Sequence, residues 1–147
     1  GKLIPKGRTS FRWVPNGIPG VETRLPILFS EGVVKGRISL NQFVALTSTN
    51  HARMYGLSAR KGTIAIGVDA DIAIWDPELK TRIAASDLHH GADYTPYEGL
   101  EVTGLPVTTI VRGRTVVRDR KLVGAKSPGA HVARERSSFA EPASRPA

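Results

Sequence analysis

At 147 residues, 40% hydrophobic and 23% charged, the chain has the size and composition of one soluble globular domain with a proper core, not of a disordered segment. No apolar run approaches the ~20 residues needed to cross a membrane, residues 1–6 lack the apolar core of a secretory signal, and the absence of cysteine excludes disulfides and thiolate chemistry. A cytoplasmic setting without a membrane partner is therefore expected, and since residue 1 is not Met, it is not read as the start of translation. The formal net charge of +8 is concentrated in residues 1–37, where seven Lys or Arg face only Glu22 and Glu31. Such a basic end suits an anion or nucleic acid. No aromatic–basic interleaving or nucleic-acid motif accompanies it, so no nucleic-acid partner is expected.

Residues 1–20 read as an irregular segment punctuated by turn formers. Within it, Val14-Pro15-Asn16-Gly17-Ile18-Pro19-Gly20-Val21-Glu22 combines two prolines and two glycines. They stiffen a loop that presents Asn16 at its bend beside a following helix, an arrangement that positions a substrate. That helix is predicted from about Glu22, with Pro26 tolerated in the first turn, Leu25, Leu28 and Phe29 on one face, and Gly32 as its stop. Next, Ser39-Leu40-Asn41-Gln42 is a capping box, with Ile38 and Phe43 placed as a hydrophobic staple. Leu40, Phe43, Val44 and Thr47 follow the helical period. A third, short helix is predicted from Thr49 or Asn50 to Gly56, where a left-handed residue costs little.

After Leu57 the period changes to that of strands. Residues 62–67, 70–75 (ended by Asp76-Pro77), 81–85 and 107–111 are strand candidates, and Arg112-Gly113 makes a hairpin into Arg114–Arg118. Helices followed by strands argue for separate structural units. The expected division is 1–57, 58–124 and a tail over 125–147. Pro, Ser, Ala and paired charges mark residues 133–147 of that tail as disordered or docked on a partner.

Local chemistry is sparse. Hydrolytic metal sites need two or three histidines at defined spacing together with carboxylates. Of His51, His89, His90 and His131, only His89-His90 are close in sequence, and adjacent rings diverge into a solvated pair. His51 stands at a helix start, where capping or exposure explains it. Asp69, Asp71 and Asp76 fail the calcium-loop pattern and read as turn formers. Neither Gly7-Arg8-Thr9-Ser10 nor Gly113-Arg114-Thr115 is a nucleophile elbow or phosphate loop. No metal ligand and no catalytic residue is assigned within the chain.

The segment from Val14 to Glu22 resembles a loop of the hydantoinase/dihydropyrimidinase family of cyclic amidohydrolases. Lys61-Gly62-Thr63-Ile64-Ala65-Ile66-Gly67-Val68-Asp69-Ala70-Asp71-Ile72-Ala73-Ile74-Trp75-Asp76-Pro77 is similar to the segment where these chains leave their barrel for a small β-sandwich. Asp93-Tyr94-Thr95-Pro96-Tyr97-Glu98-Gly99, then Gly104-Leu105-Pro106-Val107 and Arg112-Gly113-Arg114, resemble the family's C-terminal part. The resemblance spans about residues 11–124. It implies an α/β fold, the C-terminal portion of a metal-dependent (β/α)8 barrel followed by strands of a β-sandwich. It also implies two zinc ions, hydrolysis of the ring amide of hydantoins or dihydropyrimidines, and a homo-oligomer. The family's metal ligands would precede Gly1, and a barrel needs ~200 residues or more, so the chain by itself is expected to be inactive. One role carries over: Asn16 matches the asparagine whose main chain binds the cyclic amide or imide substrate. Asn50-His51-Ala52 departs from the family's usual Asn-Pro-Ala, which touches a helix's first turn, not chemistry. The alternative within the same resemblance is a non-catalytic assembly or scaffold protein that keeps the fold and loses the metal ligands.

Overall fold

Residues 17–124, 129–137 and 139 are described by a computed structural model of the chain. It divides into two units, Gly1–Arg37 with Pro77–Leu105, and Ile38–Asp76 with Pro106–Ala147. One four-stranded sheet is ordered β1-β2-β3-β4: β1 is Ile72–Arg82, β2 Glu101–Val111, β3 Arg114–Arg118 and β4 Lys121–Leu122.

In the first unit, helix α1 spans Val21–Leu28 and continues as a wider π-helical turn over Phe29–Val34. It starts one residue earlier than the sequence predicts, so Pro26 falls in the second turn, where its missing N–H removes one ladder bond. The buried face is Thr23, Pro26, Phe29 and Ser30, while Leu25 and Leu28 are only half-buried. The reason is specific attachment to β2. Ser30 Oγ accepts the N–H of Thr103 at 3.1 Å, and the Phe29 ring lies against Gly104, where an added Cβ would come within 2.2 Å of Cδ1. Gly32 does not end the helix but is buried within it. The stop is Gly36 at φ +68°, where the N–H of Arg37 bonds Gly32 O at 2.8 Å and that of Gly36 bonds Val33 O at 2.9 Å, a Schellman ending. Ile83, Val102 and Leu105 complete the apolar core of this unit.

In the second unit the capping box forms as expected: Gln42 N–H bonds Ser39 Oγ at 3.2 Å, and Ser39 N–H bonds Gln42 Oε1 at 2.8 Å. Helix α2 (Leu40–Val44) runs through a π-helical stretch, Ala45–Thr49, into α3 (Asn50–Met54) without a break. α3 begins at Asn50, one of the two starts the sequence predicts, but with no break before it: Thr49 has helical φ/ψ, and its hydroxyl donates to Gly62 O at 2.7 Å. Gly56, at φ +67°, closes the run with the same Schellman pair of bonds, as its sequence position suggests. Phe43 is buried, its ring meeting Trp75 edge-on at 5.5 Å and 83°. Residues 129–137 have no regular structure, but Glu135 N–H bonds Gly56 O at 2.8 Å and the Ser137 hydroxyl bonds Arg53 O at 3.0 Å, capping the end of α3.

The strands differ from their prediction at three places. Residues 62–67 form no strand, and Ile64 and Ile66 are 81% and 106% exposed. β1 does not end at Asp76-Pro77 but absorbs the candidate at residues 81–82; it is an edge strand, where a missing N–H can face away from the ladder. β2 begins six residues before the predicted 107, at Glu101. The Arg112-Gly113 hairpin forms as predicted, pairing Val111 with Arg114. Its φ values of +48° and +76° are those of a type I′ turn. A bulge at Thr109/Ile110 follows from Val116 having no opposite residue. Asp119 and Arg120, also at positive φ, make a second tight turn into β4.

Gly104→Ala is expected to lower stability by about 2–4 kcal/mol, since it combines a left-handed backbone with a clash against Phe29. Urea denaturation of the two proteins measures the difference.

Candidate functional site

Asn16 lies outside the described residues, as do all of residues 1–16 and, from the tail, 125–128, 138 and 140–147. The continuation of its loop is described. Gly17, Ile18, Pro19 and Gly20 lead directly into α1, and the Gly20 carbonyl accepts the Arg24 N–H at 3.0 Å and the Thr23 hydroxyl at 3.4 Å. Two adjoining cavities open along this loop, both bordered by Ile18, Gly20 and Val21. The larger, about 460 Å³, extends along α1 past Arg24 to Glu31 and is bordered by Tyr97. The smaller, about 300 Å³, is bordered by Pro19, Glu22, His89 and His90.

The walls are set by contacts far apart in sequence. Glu22, on the first turn of α1, accepts two hydrogen bonds from His89: the main-chain N–H at 2.8 Å to Oε2 and ring Nδ1 at 2.9 Å to Oε1. An ionised carboxylate requires Nδ1 to be the donor. Partial burial pushes the Glu22 carboxyl up, but the His89 bonds and the nearby His89 and His90 rings outweigh it and hold the group below its ordinary 4.5. The expected solvated pair holds for His89 alone, because the Ala92 main chain and the surrounding loop cover much of His90. His89 is exposed, whereas His90 is half-buried with Nδ1 accepting the Ala92 N–H at 3.2 Å. Below the loop, buried Thr95 organises the turn over residues 95–99: its hydroxyl accepts the Tyr97 N–H at 3.3 Å and its carbonyl the Glu98 N–H at 3.4 Å. Glu98 Oε2 accepts the Ala85 N–H at 2.8 Å, and the Tyr97 ring edge comes near Gly20. Glu22, His89, His90 and Tyr97 were not assigned to the site from sequence. The only signals were the unusual His89-His90 pair and an acidic residue directly after the loop.

Among the described residues, no three His, Cys, Asp or Glu side chains converge on a point that could hold a metal ion. His51 stacks on Tyr55 at 6.3 Å, and His89 and His90 are engaged as above. The described residues therefore do not fit a zinc centre. Asp69 and Asp71 belong to an ion-pair cluster: Lys61 Nζ bonds Asp69 Oδ2 at 2.7 Å and also Asp71, while Arg60 pairs with Asp69 at 2.8 Å. The Asp69 and Asp71 bonds raise the Lys61 pKa, and Lys61 in turn lowers both carboxyls. Asp71 Oδ1 further accepts the Arg112 N–H at 2.8 Å, so the cluster secures the β2–β3 turn.

The profile of the amidohydrolase family matches residues 33–117. The chain is 52% identical over 128 residues to the D-hydantoinase of Geobacillus stearothermophilus, covering 87% of this chain and 27% of that protein. With the dihydropyrimidinase of Dictyostelium discoideum it shares 43% over 128 residues, covering 87% and 25%. A crystal structure of a D-hydantoinase superposes with a TM-score of 0.77 at 52% identity, over 80% of this chain and 26% of that one. The L-hydantoinase of Arthrobacter aurescens superposes at 0.71 and 38% identity, over 74% and 24%. The chain belongs to the amidohydrolase family and resembles its hydantoinases and dihydropyrimidinases. It spans about a quarter of the length of these relatives. No described helix is long and apolar enough to cross a membrane.

Glu22→Gln is expected to cost roughly 0.5–1 kcal/mol at neutral pH, a modest figure because the pair is open to solvent. The Glu22 pKa is lowered by folding, so its contribution is full above the ordinary value of 4.5 and is lost as pH falls through the folded-state value. Urea midpoints of the two proteins should therefore differ at pH 7 and converge in the acid range.

Proposed function

We propose that this chain forms one wall of the active site of a cyclic amidohydrolase that opens the ring amide of hydantoins or dihydropyrimidines. The observation that carries the reading is the 52% identity to a D-hydantoinase, sustained over 128 residues in one alignment. In this reading α1–α3 belong to the end of a (β/α)8 barrel and β1–β4 to a small β-sandwich. Exposed apolar side chains support a larger surrounding body: Leu40, Val44 and Leu46 on one helical run, and Ile64 and Ile66 on the extended segment, are 47–106% exposed. The same surfaces suit a homo-oligomer for the whole protein.

Asn16 would hold the substrate ring through its main chain, and the Gly17–Gly20 turn, braced by the Glu22–His89 bonds, would keep that main chain fixed. Fixed backbone geometry suits orientation, since a misplaced ring forfeits the gain from a pre-positioned reaction. D- and L-hydantoinases both resemble the chain, which supports a role common to both: holding the ring rather than choosing its hand. Two zinc ions, as in the resemblance, would supply the Lewis acid and the nucleophile. The described residues do not hold them, and this chain by itself is proposed to be inactive.

The purified 147-residue chain should show no zinc-dependent hydrolysis of hydantoin or dihydrouracil. Residues 11–124, grafted into the Geobacillus stearothermophilus D-hydantoinase in place of the matching part, should give an active enzyme. In that graft Asn16→Ala should leave KM within about twofold, because the contact is with the main chain. Asn16→Pro should raise KM about tenfold, the worth of one hydrogen bond. Hydrolysis by the isolated chain, or a folded but inactive graft, would defeat the reading.

A further inference from the structure

An asparagine followed by glycine is the pair in which a side-chain amide and the next main-chain nitrogen react most readily, because glycine has no Cβ to crowd the attack. The chain has three asparagines, Asn16, Asn41 and Asn50, and only Asn16 precedes a glycine. Asn16 lies outside the described residues, but the nitrogen that would attack it, that of Gly17, lies within them.

Gly17 stands at an exposed bend. Nothing lies within 4 Å of the place a Cβ would take, and its φ is outside the left-handed region. Its N–H makes no hydrogen bond among the described residues. No interaction there has to break before the nitrogen approaches the neighbouring side chain. The other two asparagines are held differently. Asn41, in the first turn of α2, precedes Gln42, whose N–H donates to Ser39 Oγ at 3.2 Å. Asn50 has helical backbone, at φ −67° and ψ −36°, and His51 continues α3. Both are exposed, so the helical backbone and the bulkier following residue protect them, not burial.

We propose that Asn16-Gly17 is a self-modification site, at which Asn16 cyclises onto the Gly17 nitrogen and reopens as isoaspartate or aspartate. The Gly17 nitrogen gives its proton to a solvent base and bonds to Asn16 Cγ. The bond from Cγ to the side-chain NH2 breaks, and ammonia leaves with a proton from water, closing a succinimide. Water then adds to one of the two ring carbonyls and cleaves its bond to nitrogen. Cleavage at Cγ gives aspartate; cleavage at the main-chain carbonyl gives isoaspartate. Water is the only co-reactant, and either product carries one carboxylate in place of a neutral amide. In isoaspartate the main chain runs through Cβ and Cγ, so it is one methylene longer, and the former main-chain carbonyl becomes a free carboxylate. The effect on activity rests on the functional reading above, in which the Asn16 main chain holds the substrate. The reactivity of the pair does not.

Incubation of the 147-residue chain, followed by trypsin digestion and mass spectrometry, tests this. The peptide Trp13–Arg24 should exchange NH2 for OH and separate into aspartyl and isoaspartyl forms, the second a substrate for isoaspartyl methyltransferase. The peptide Ile38–Arg53, which carries both other asparagines, should stay unchanged over the same period. Conversion should quicken several-fold from pH 7 to pH 9, since the nitrogen must lose a proton. It should slow several-fold in Gly17→Ala, whose methyl has room in the folded loop. An unchanged Trp13–Arg24 peptide, conversion only in urea, or equal conversion of Ile38–Arg53 would each overturn the proposal. Should Gly17→Ala fail to fold, the peptides of the unaltered chain still decide it. In the graft described above, activity should fall in step with isoaspartate. Conversion at undiminished activity would retain the site and remove the main-chain role of Asn16. An active graft that never converts would do the opposite.

Discussion

The contact on which the first unit depends is the seating of the Phe29 ring on Gly104. β2 has positive φ at Gly104 and no side chain there, so an aromatic ring on the helix can approach the strand backbone directly. Ser30, the next residue, then reaches the Thr103 N–H. Together these two contacts fix both the rotation of α1 and its height along the strand. They explain why a polar and compact face, Thr23, Pro26 and Ser30, is turned inward while Leu25 and Leu28 remain half-exposed. The orientation of the first turn of α1 follows, and with it the direction in which Glu22 points.

From that turn outward, the site is held by polar contacts rather than by apolar packing. Glu22 binds the main chain and ring of one residue 67 positions away. The loop bearing His89 and His90 is thereby tied to the start of the helix, and Thr95 and Glu98 brace the adjoining turn from within. Such contacts carry little stability individually where water reaches them. Their value is positional, because two bonds to one carboxylate leave it little rotational freedom. The same economy appears in the second unit, where Lys61 bridges Asp69 and Asp71, and Asp71 also receives the Arg112 N–H. An acidic pair that reads as turn formers in the sequence is bridged by the chain's own lysine.

Local signals were legible wherever a few neighbouring residues suffice to form the structure. The Ser39–Gln42 capping box, the Gly56 helix ending and the Arg112-Gly113 hairpin each depend on bonds spanning no more than five residues, and all form as predicted. The resemblance to hydantoinases was equally legible, because the family match needs only residue identity in order. Errors arose where an element depends on a distant partner. Residues 62–67 have the alternation of a strand, yet alternation specifies a face and cannot supply a neighbouring backbone. Asp76-Pro77 reads as a strand end, yet at a sheet edge proline is tolerated. Gly32 reads as a helix stop, but Gly36 is the residue that adopts the left-handed conformation.

The sequence by itself thus determined the caps, the turns and the family, since these follow from short-range sterics and from residue identity in order. Only the tertiary structure decided which face of α1 turns inward, that Glu22 and His89 meet, and that His90 Nε2 is buried with no hydrogen-bond partner among the described residues. Those outcomes rest on contacts between residues roughly seventy positions apart, between which no local pattern passes.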